Sequence, residues 1–250
     1  MFSSSLANGL SVLRAFTADA RMLSNAQLAR RTGLSPGTIT RLTFSLCELG
    51  LLEYDAVARH YRVGSGAVSL AYPFLVHLSL QRVALPLMQA FADRHRVSVS
   101  LGMRSGMEMV YVESCRAFDG MMFKPDVGAC LPLMRTAMGR AWVAARPAPE
   151  RRLVMKELRN RAPSEWRRYA GEMRKGIASC QERGFCVNSG DAHSDMHGIA
   201  VPLRATVQAG AVILNCGIPL QLVRPGVTDR LGARLVTLGR RIDAACDAHL

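Results

Sequence analysis

The chain has 250 residues, of which 49% are hydrophobic and 20% are charged, and this globular composition excludes an intrinsically disordered protein. Its formal net charge of +13 at pH 7 favours polyanionic partners, although charge indicates nothing about the fold. Because no run of about 18 apolar residues occurs and no basic segment precedes an apolar block at the start, we expect neither a membrane span nor a secretory signal.

The cysteines indicate the cellular compartment. Seven are present, in irregular spacing and without a CxxC motif. An odd, irregular set is typical of reduced thiols and not of a disulfide framework or a zinc knuckle. We therefore expect a cytoplasmic protein.

The first 50 residues predict three helices. Over residues 6–17 the apolar residues fall on one helical face: Leu6, Leu10, Leu13 and Phe16. A second helix is expected over 25–31, with Ser24 as N-cap and Gln27 completing a capping box. Gly33 and Leu34 form the following turn.

The third helix has a well-defined start and end. Ser35 is the expected N-cap, Pro36 occupies the first helical position, and Gly50 follows the last turn. Its predicted inner face consists of Ile39, Leu42, Leu46 and Leu49. A β-hairpin should follow, with strands at 51–54 and 60–63.

This order of elements predicts a winged helix-turn-helix over residues 1–65, in which the third helix enters the major groove of double-stranded operator DNA. The residues expected to contact DNA are Ser35, Thr38, Thr40, Arg41, Ser45, Arg59 and Arg62. His60 on the hairpin is a further candidate. The alternative is an ordinary three-helix packing unit whose polar residues are merely solvated.

Charge by itself does not locate the DNA-binding region. Residues 1–75 carry 7 basic and 4 acidic residues, whereas residues 76–250 carry 25 and 15. Because the predicted DNA-binding domain has little excess charge, we expect it to need dimerisation for useful affinity.

Residues 66–82 predict an apolar linker helix that Pro73 kinks or divides. From 83 to 250 the pattern changes to mixed helices and strands, so the fold class is α+β. Helices are expected at 85–96 and 136–145, and an amphipathic last helix carries Leu231, Leu235, Leu238 and Ile242. Strands are expected near 97–103, 107–114, 184–188, 197–204 and 210–217.

The segment "RTAMGRA" predicts an anion-binding helix start. Thr136 is the expected N-cap, so the N–H groups of Ala137, Met138 and Gly139 should point at one spot with the helix dipole behind them. Ala137 and Gly139 would allow a ligand to approach the backbone closely. Arg135 either pairs with a carboxylate or points to solvent.

These segments together resemble the IclR family of bacterial transcription regulators. The resemblance lies in "LSNAQLARRTGLSPGTITRLTFSLCELGLLEYD", "VGACLPLMRTAMGRA" and "ERGFCVNSGDAHSDMHGIAVPL", and in strand 211–217 before Pro219. It implies a winged helix-turn-helix, a linker helix and a GAF-like effector-binding domain, assembled as homodimers or tetramers. Pro36-Gly37 stands where the family commonly has a basic residue.

The resemblance also implies that a small organic acid binds at the start of the 136–145 helix. The residues facing it would be Asn188 and Gly198, together with Asn215 and Gly217 on the late strand. In the family an acidic residue and a Cys or Gly often occupy the effector segment, whereas this chain has Asn188 and Gly198. Cys216 would face away from the pocket as a core thiol.

One cluster has the composition of a metal site. Asp191, His193, Asp195 and His197 alternate and would share one face of a strand, a set that suits zinc or manganese. A polar surface loop is the alternative, and we expect no metal. The stretch 151–183 is basic, with 10 basic and 4 acidic residues. It could bind DNA or polymerase, but we favour the alternative that it is a solvated helical face.

No GxSxG, HExxH, P-loop or GxGxxG motif occurs, so we expect neither an enzyme nor a cofactor. Two alternatives remain: a small-molecule sensor or enzyme domain with a vestigial helix-turn-helix, and a dimeric regulator that no longer binds DNA well.

Overall fold

The computed structural model describes residues 1–76, 78–117, 126–207 and 210–248. The chain divides into two compact units, Met1–His77 and Leu78–Leu250, here called the N-terminal and C-terminal units. Among the described residues no single helix is long and apolar enough to cross a membrane. Gly66–Val76 and Leu80–His95 meet the length and composition only when taken together.

The N-terminal unit contains three helices followed by a hairpin and a fourth helix. The helices are α1 (Ser4–Arg14), α2 (Asn25–Thr32), α3 (Pro36–Glu48) and α4 (Gly66–Val76), and the hairpin pairs β1 (Leu52–Asp55) with β2 (His60–Val63). Its core is formed by the side chains of Val12, Leu23, Leu28, Ile39, Leu46 and Leu52. Leu23 also pairs with Tyr61, which ties the chain before α2 to the hairpin.

The predicted starts of α2 and α3 and the glycine after α3 are confirmed, whereas the first helix, predicted over 6–17, ends at Arg14 and excludes Phe16. Ser24 and Gln27 form the full capping box, with the Ser24 N–H donating to Gln27 Oε1 over 2.7 Å. Ser35 Oγ accepts from the Thr38 N–H at 3.3 Å, and Pro36 occupies the first turn of α3. Gly50, just beyond α3, has φ +68°, a conformation that L side chains rarely adopt.

The predicted apolar faces are partly wrong. Leu6 and Leu10 are 63% and 47% exposed, and Val12 is the buried residue of α1. Leu49 is 69% exposed because α3 ends at Glu48, so Leu49 is the C-cap and not part of the inner face. Periodicity alone does not show where a helix turns away from the core.

The linker region also differs from the prediction. Helix α4 continues through Pro73 to Val76 and has no buried residue, and α5 already begins at Ser79. The predicted linker helix over 66–82 is therefore two helices in the described residues, but they are divided after Val76 and not at Pro73. Residue 77 lies outside the described residues.

The C-terminal unit is built on an antiparallel sheet that, in the described part of the chain, has six strands in the order β5-β4-β3-β8-β7-β6. The strands are β3 (Ser98–Ser105), β4 (Glu108–Arg116), β5 (Cys130–Pro132), β6 (Cys186–Ser189), β7 (Met196–Val207) and β8 (Gly210–Pro219). The predicted α+β class is confirmed.

Helices cover both faces of this sheet. One face packs against α5 (Ser79–His95) and α9 (Val227–Asp247), where Gly239 lies against Val201, Leu203 and Leu214. The other face packs against α6 (Ala137–Ala144), with α7 (Ala148–Arg161) and α8 (Pro163–Arg183) beside it. A 3-10 turn, Leu133–Arg135, leads from β5 into α6.

Candidate functional site

The outer face of α3 is open to solvent in the N-terminal unit. Ile39, Thr43 and Leu46 are buried on its inner face, whereas Thr40, Arg41 and Ser45 are exposed, as the spacing predicts. Thr38 is half-buried at the start of the helix, beside the exposed Ser35. This face therefore presents polar groups from the start of α3 to Ser45.

The hydroxyl groups on this face donate to the helix itself. Thr40 Oγ1 donates to the Pro36 carbonyl over 3.0 Å and Ser45 Oγ to the Arg41 carbonyl over 3.1 Å. Thr40 Oγ1 is also 3.4 Å from the Asn25 amide nitrogen of α2, and Ser35 Oγ is 2.9 Å from Thr38 Oγ1. Hydroxyls bound in this way keep a lone pair, so toward a ligand they are better acceptors than donors.

Arg41 is the long basic side chain on α3. Among the described residues its guanidinium has no hydrogen bond or ion pair, so neither Glu48 nor Asp55 holds it. Asp55 instead accepts from the N–H groups of Val57 and Ala58 within the hairpin turn, at 2.9 Å each. These bonds hold the pKa of the Asp55 carboxyl below its ordinary value. Arg41 thus keeps all its donors available.

The two hairpin arginines are in different states. Arg62 faces Glu53 across the β1–β2 pair, and its Nε donates to Glu53 Oε2 over 2.9 Å. Arg59 is exposed in the turn with φ +54°, unusual for a residue with a side chain. Within the described part of the chain Arg59 is therefore free to reach a partner, whereas Arg62 must first leave Glu53.

Two residues of α3 were missed by the sequence analysis. Phe44 is 67% exposed on the same face as Arg41, three positions further along the helix. Gly37 has open space where a Cβ would lie, so packing gives no reason for a glycine there. A large apolar side chain on the polar face was the signal that could have revealed Phe44.

In the C-terminal unit, a small cavity lies where α6 meets the sheet. Six of the seven predicted effector residues line it: Ala137, Met138, Asn188, Gly198, Asn215 and Gly217. The other lining residues include Tyr111, Met196 and His197. Tyr111 was not predicted, because it reaches the cavity from β4 on the far side of β3.

The start of α6 has the predicted cap. Thr136 Oγ1 accepts from the Gly139 N–H at 2.9 Å, so that amide is already used. The N–H groups of Ala137 and Met138 have no acceptor among the described residues. Gly139 does not line the cavity, and a Cβ there would lie 1.9 Å from the Leu133 carbonyl oxygen. Gly139 thus serves the turn before α6 and not the approach of a ligand.

Asn188 is bound at both ends of its amide. Its Nδ2 donates to the Arg135 carbonyl, and its Oδ1 accepts from the Asp191 N–H at 3.0 Å. Asn188 therefore joins the loop after β6 to the turn before α6. This makes it a wall of the cavity and leaves it little capacity to bind a ligand directly.

Asn215 is the less satisfied amide of the cavity. Its Nδ2 is 3.5 Å from Ser100 Oγ, a weak bond, and its Oδ1 lies 3.7 Å from where a Cβ on Gly198 would be. Cys216 points to the opposite side of β8 and is fully buried, which raises the pKa of its thiol to about 12. The predicted core position of Cys216 agrees with this burial.

Two methionine side chains that line the cavity lie close against glycines of the sheet. Met138 Sδ lies 2.5 Å from the position of a Cβ on Gly102, and Met196 Cε lies 3.3 Å from that of Gly217. The remaining cavity is about 40 Å³, which is room for only a few water molecules. A ligand of ordinary size requires these flexible side chains to move.

The cluster with metal-like composition is not brought together. The described residues contain no group of three or more His, Cys, Asp or Glu that could hold a metal ion. Only His197 belongs to a strand, because β7 begins at Met196 and Asp191, His193 and Asp195 lie in the loop before it. The predicted shared strand face was therefore wrong.

Asp191 of this loop and His197 at the start of β7 both bind other groups of the protein. Asp191 pairs with the buried Arg140 over 2.5 Å, and Arg140 also donates to the Val187 carbonyl over 2.8 Å. His197 is 3.1 Å from Ser189 Oγ and 3.0 Å from Thr228 Oγ1, and burial lowers the pKa of its imidazole. His197 is therefore neutral at pH 7.

Arg135 points away from the cavity. Its Nε donates to Glu165 Oε1 of α8 over 2.9 Å, and its guanidinium lies 5.4 Å from the Tyr169 ring centroid. It thus pairs with a carboxylate of the protein itself, and not with solvent.

Most of the chain matches the models of one protein family. Residues 5–56 match the IclR helix-turn-helix domain, and residues 73–244 match the bacterial transcriptional regulator IclR C-terminal domain. The HTH-type transcriptional regulator TsaQ1/TsaQ2 of Comamonas testosteroni is 31% identical over 79% of this chain and 71% of its own length.

Solved structures show the same fold. An IclR family transcriptional regulator from Brucella abortus has a TM-score of 0.81 at 35% identity, covering 98% of this chain and 93% of that one. An IclR homologue from Microbacterium hydrocarbonoxydans, solved in complex with 4-hydroxybenzoate, has a TM-score of 0.72 at 22% identity, covering 98% and 100%.

The open outer face of α3 and the closed cavity under α6 thus occupy the two domains that these matches cover. The chain belongs to the IclR family, as a DNA-binding transcriptional regulator with an effector-binding domain and not as an enzyme.

Proposed function

We propose that this regulator binds operator DNA through α3 and the hairpin, and that a small carboxylate bound at the start of α6 controls that binding. The observation that carries the effector part is the pair of N–H groups of Ala137 and Met138. They are buried at a helix N-terminus, line a cavity and have no acceptor among the described residues. A carboxylate would satisfy both donors and gain from the helix dipole.

The DNA part is supported by the exposed face of α3. Arg41 is unpaired there among the described residues, Arg59 extends from the hairpin turn, and Gly37 allows close approach at the start of the helix. Arginine suits both phosphate and guanine because its guanidinium can form two parallel hydrogen bonds. The acceptor lone pairs of Thr38, Thr40 and Ser45 suit the amino groups of cytosine or adenine.

Phe44 adds an apolar element to the same face. It follows Arg41 by one helical turn, where a thymine 5-methyl group is the apolar feature of the major groove. We assign it the role of reading thymine, which gives its 67% exposure a reason.

The effector class follows from the size and polarity of the cavity. Two N–H donors and the Asn215 amide favour a carboxylate with a second polar group, and Met138 and Met196 favour an apolar or aromatic body. The homologue that binds 4-hydroxybenzoate has a ligand of this type. Entry of such an acid requires Met138 or Met196 to change rotamer, since about 40 Å³ does not hold it.

The functional assembly is a homodimer or tetramer in the cytoplasm. Helix α4 has no buried residue and exposes Val68, Leu70, Tyr72 and Val76, which a second copy would cover. Two copies also double the DNA-binding surface, which compensates for the small excess of basic residues in residues 1–75.

Thermal unfolding with matched acids and amides tests the effector site. Benzoate and 4-hydroxybenzoate should raise the melting temperature, by the equivalent of about 2.7 kcal/mol at a hundredfold excess over Kd. Benzamide and 4-hydroxybenzamide, which lack the negative charge, should not. An equal rise of the melting temperature with the neutral amides would contradict an anion site at α6.

The control of DNA binding is tested separately. Duplexes selected by the protein from a random pool serve as operator, and their affinity is measured with and without a stabilising acid. The acid should change that affinity at least severalfold, whereas affinity for random DNA should change less. An acid that stabilises the protein without affecting operator affinity would contradict the regulatory link but not the site.

A further inference from the structure

A second concave surface of the C-terminal unit lies between α7 and α8 and is distinct from the α6 cavity. This groove has a volume of about 560 Å³, within the range of small-molecule sites. Its basic lining residues are Arg151, Arg152, Lys156, Arg159 and Arg174, and no Asp or Glu among the described residues lines it. Trp166, Met155 and Ile177 form its apolar part.

The cations of the groove differ from others in the same unit. Elsewhere arginines pair with carboxylates, as in Arg104 with Glu157, Arg135 with Glu165 and Arg140 with Asp191. In the part of the chain that the structure describes, none of the groove cations has a carboxylate partner. Clustered like charges repel one another, and a bound anion would remove that repulsion.

The groove cations have a regular arrangement. Arg152, Lys156 and Arg159 are spaced i, i+4 and i+7, so they lie along one side of α7 over about 10 Å. Arg174 comes from α8 on the other wall. Arg151 is held in place by its Nη1, which lies 3.4 Å from the Ala144 carbonyl and 3.3 Å from that of Arg146. A row of this length matches an extended anion with several charges.

The groove also contains an aromatic surface. Trp166 is half-buried, and the Arg174 guanidinium lies 5.5 Å from its ring centroid. Indole and guanidinium planes are the groups on which nucleobases stack in proteins. Arginine is also well suited to phosphate, because its fork of donors matches two phosphate oxygens.

We propose that the groove between α7 and α8 binds a nucleoside polyphosphate, with the phosphates along Arg152, Lys156 and Arg159 and the base on Trp166 and Arg174. The sequence favours a solvated helical face for 151–183. That interpretation explains the charge, but it does not explain a half-buried indole among cations that have no carboxylate partner in the described residues. The regulator would then have two ligand sites, one for an organic acid and one for a nucleotide.

Tryptophan fluorescence of the full chain tests this, because the protein has 2 tryptophans, Trp142 and Trp166. At about 0.15 M ionic strength, where distant exposed charges are screened, ATP should quench the emission saturably. The quenching should disappear in Trp166→Phe and persist in Trp142→Phe. Quenching lost only in Trp142→Phe would place the nucleotide elsewhere and overturn the proposal.

Charge reversal separates a built site from general attraction. Lys156→Glu and Arg159→Glu should each weaken ATP binding about tenfold or more, measured by calorimetry. Arg167→Glu makes the same charge change at an exposed α8 position that does not line the groove, and it should change the affinity less than twofold. Equal loss in all three variants would overturn the proposal.

Two further probes identify the source of the phosphate. Inorganic tripolyphosphate should bind more weakly than ATP, since it cannot stack on Trp166, and equal binding would contradict the nucleoside. A random DNA duplex should not displace ATP from Arg41→Ala protein, and displacement would assign the groove to the DNA backbone. Benzoate should not compete with ATP, because the α6 cavity is a separate site.

Discussion

Helices α3 and α6 begin with the same chemistry in opposite surroundings. In each, a hydroxyl caps the third amide: Ser35 Oγ accepts from Thr38 at 3.3 Å, and Thr136 Oγ1 accepts from Gly139 at 2.9 Å. Ser35 is exposed, whereas Thr136 is buried against the sheet. The start of α3 is thus accessible to a macromolecule, while that of α6 is accessible only to a molecule small enough to enter a cavity.

The same contrast separates the arginines nearby. Arg41 on α3 is exposed and, within the described residues, unpaired, whereas Arg140 on α6 is buried and holds Asp191. An unpaired exposed guanidinium loses little by binding a new anion, but a buried paired one cannot leave its partner cheaply. Burial therefore decides which of two similar helices binds an external partner through its side chains.

The largest effect should come from the glycine at the start of α6, Gly139. In Gly139→Ala the new Cβ would lie 1.9 Å from the Leu133 carbonyl oxygen, a backbone atom that cannot turn away. We expect the C-terminal unit to lose about 3 kcal/mol of stability or more, seen as a lower denaturant midpoint. A midpoint equal to that of the unchanged protein would show that the turn before α6 is not rigid.

Gly37→Ala is the matched substitution in α3. Among the described residues its Cβ would meet no atom within 4 Å, so stability should stay equal or rise by up to about 1 kcal/mol, as for alanine in a helix. DNA affinity should nevertheless fall, because the added methyl group prevents close approach. Unchanged DNA affinity would show that Gly37 is not part of the surface that contacts DNA.

Arg41→Ala should have the next largest effect. We expect operator affinity to fall about tenfold or more, and affinity for random DNA to fall as well, since an exposed guanidinium binds phosphate or guanine. Arg62→Ala is the control because Arg62 already pairs with Glu53. In gel-shift titrations the operator affinity of Arg41→Ala should be well below that of Arg62→Ala, and acid binding should be unchanged in both. The reverse ranking would place the main contact on the hairpin.

Phe44→Ala should have a smaller and sequence-dependent effect. If Phe44 contacts a thymine methyl group, the loss is about fourfold, close to the value of one buried carbon. Replacing that thymine by uracil in the selected duplex should produce a similar loss in the original protein and none in Phe44→Ala. Leu49→Ala, which removes another exposed apolar residue of this region, should leave the uracil effect intact. Additive losses would exclude the contact.

His197 should give the smallest effect, a dependence of stability on pH. Burial lowers the pKa of its imidazole in the folded protein, so the unfolded chain takes up the proton first as pH falls. Stability is therefore complete above about pH 6.5 and decreases below it. The free energy of unfolding, measured with urea between pH 5 and 8, should depend less steeply on pH in His197→Gln than in the original protein. An equal pH dependence would mean that His197 becomes charged in the folded protein without cost.

Much of the N-terminal unit was predictable because its signals are local. The capping box, the Ser-Pro helix start and the glycine after the helix each act over only a few residues. The sequence therefore predicted the bounds of α2, α3 and the hairpin closely. Leu6, Leu10 and Leu49 were predicted to be buried and are not, because the end of a helix and the direction of its neighbours are not encoded in its own period.

The sequence by itself determined the class of the protein, the two capped helix starts and six of the residues that line the α6 cavity. Only the tertiary structure decided which groups remain available. It showed Gly139 packed on Leu133, Asn188 bound at both ends of its amide, and His197 held between two hydroxyls. Hydrogen-bond partners come from strands and loops far apart in the chain, so residue type and spacing cannot show whether a polar group is already satisfied.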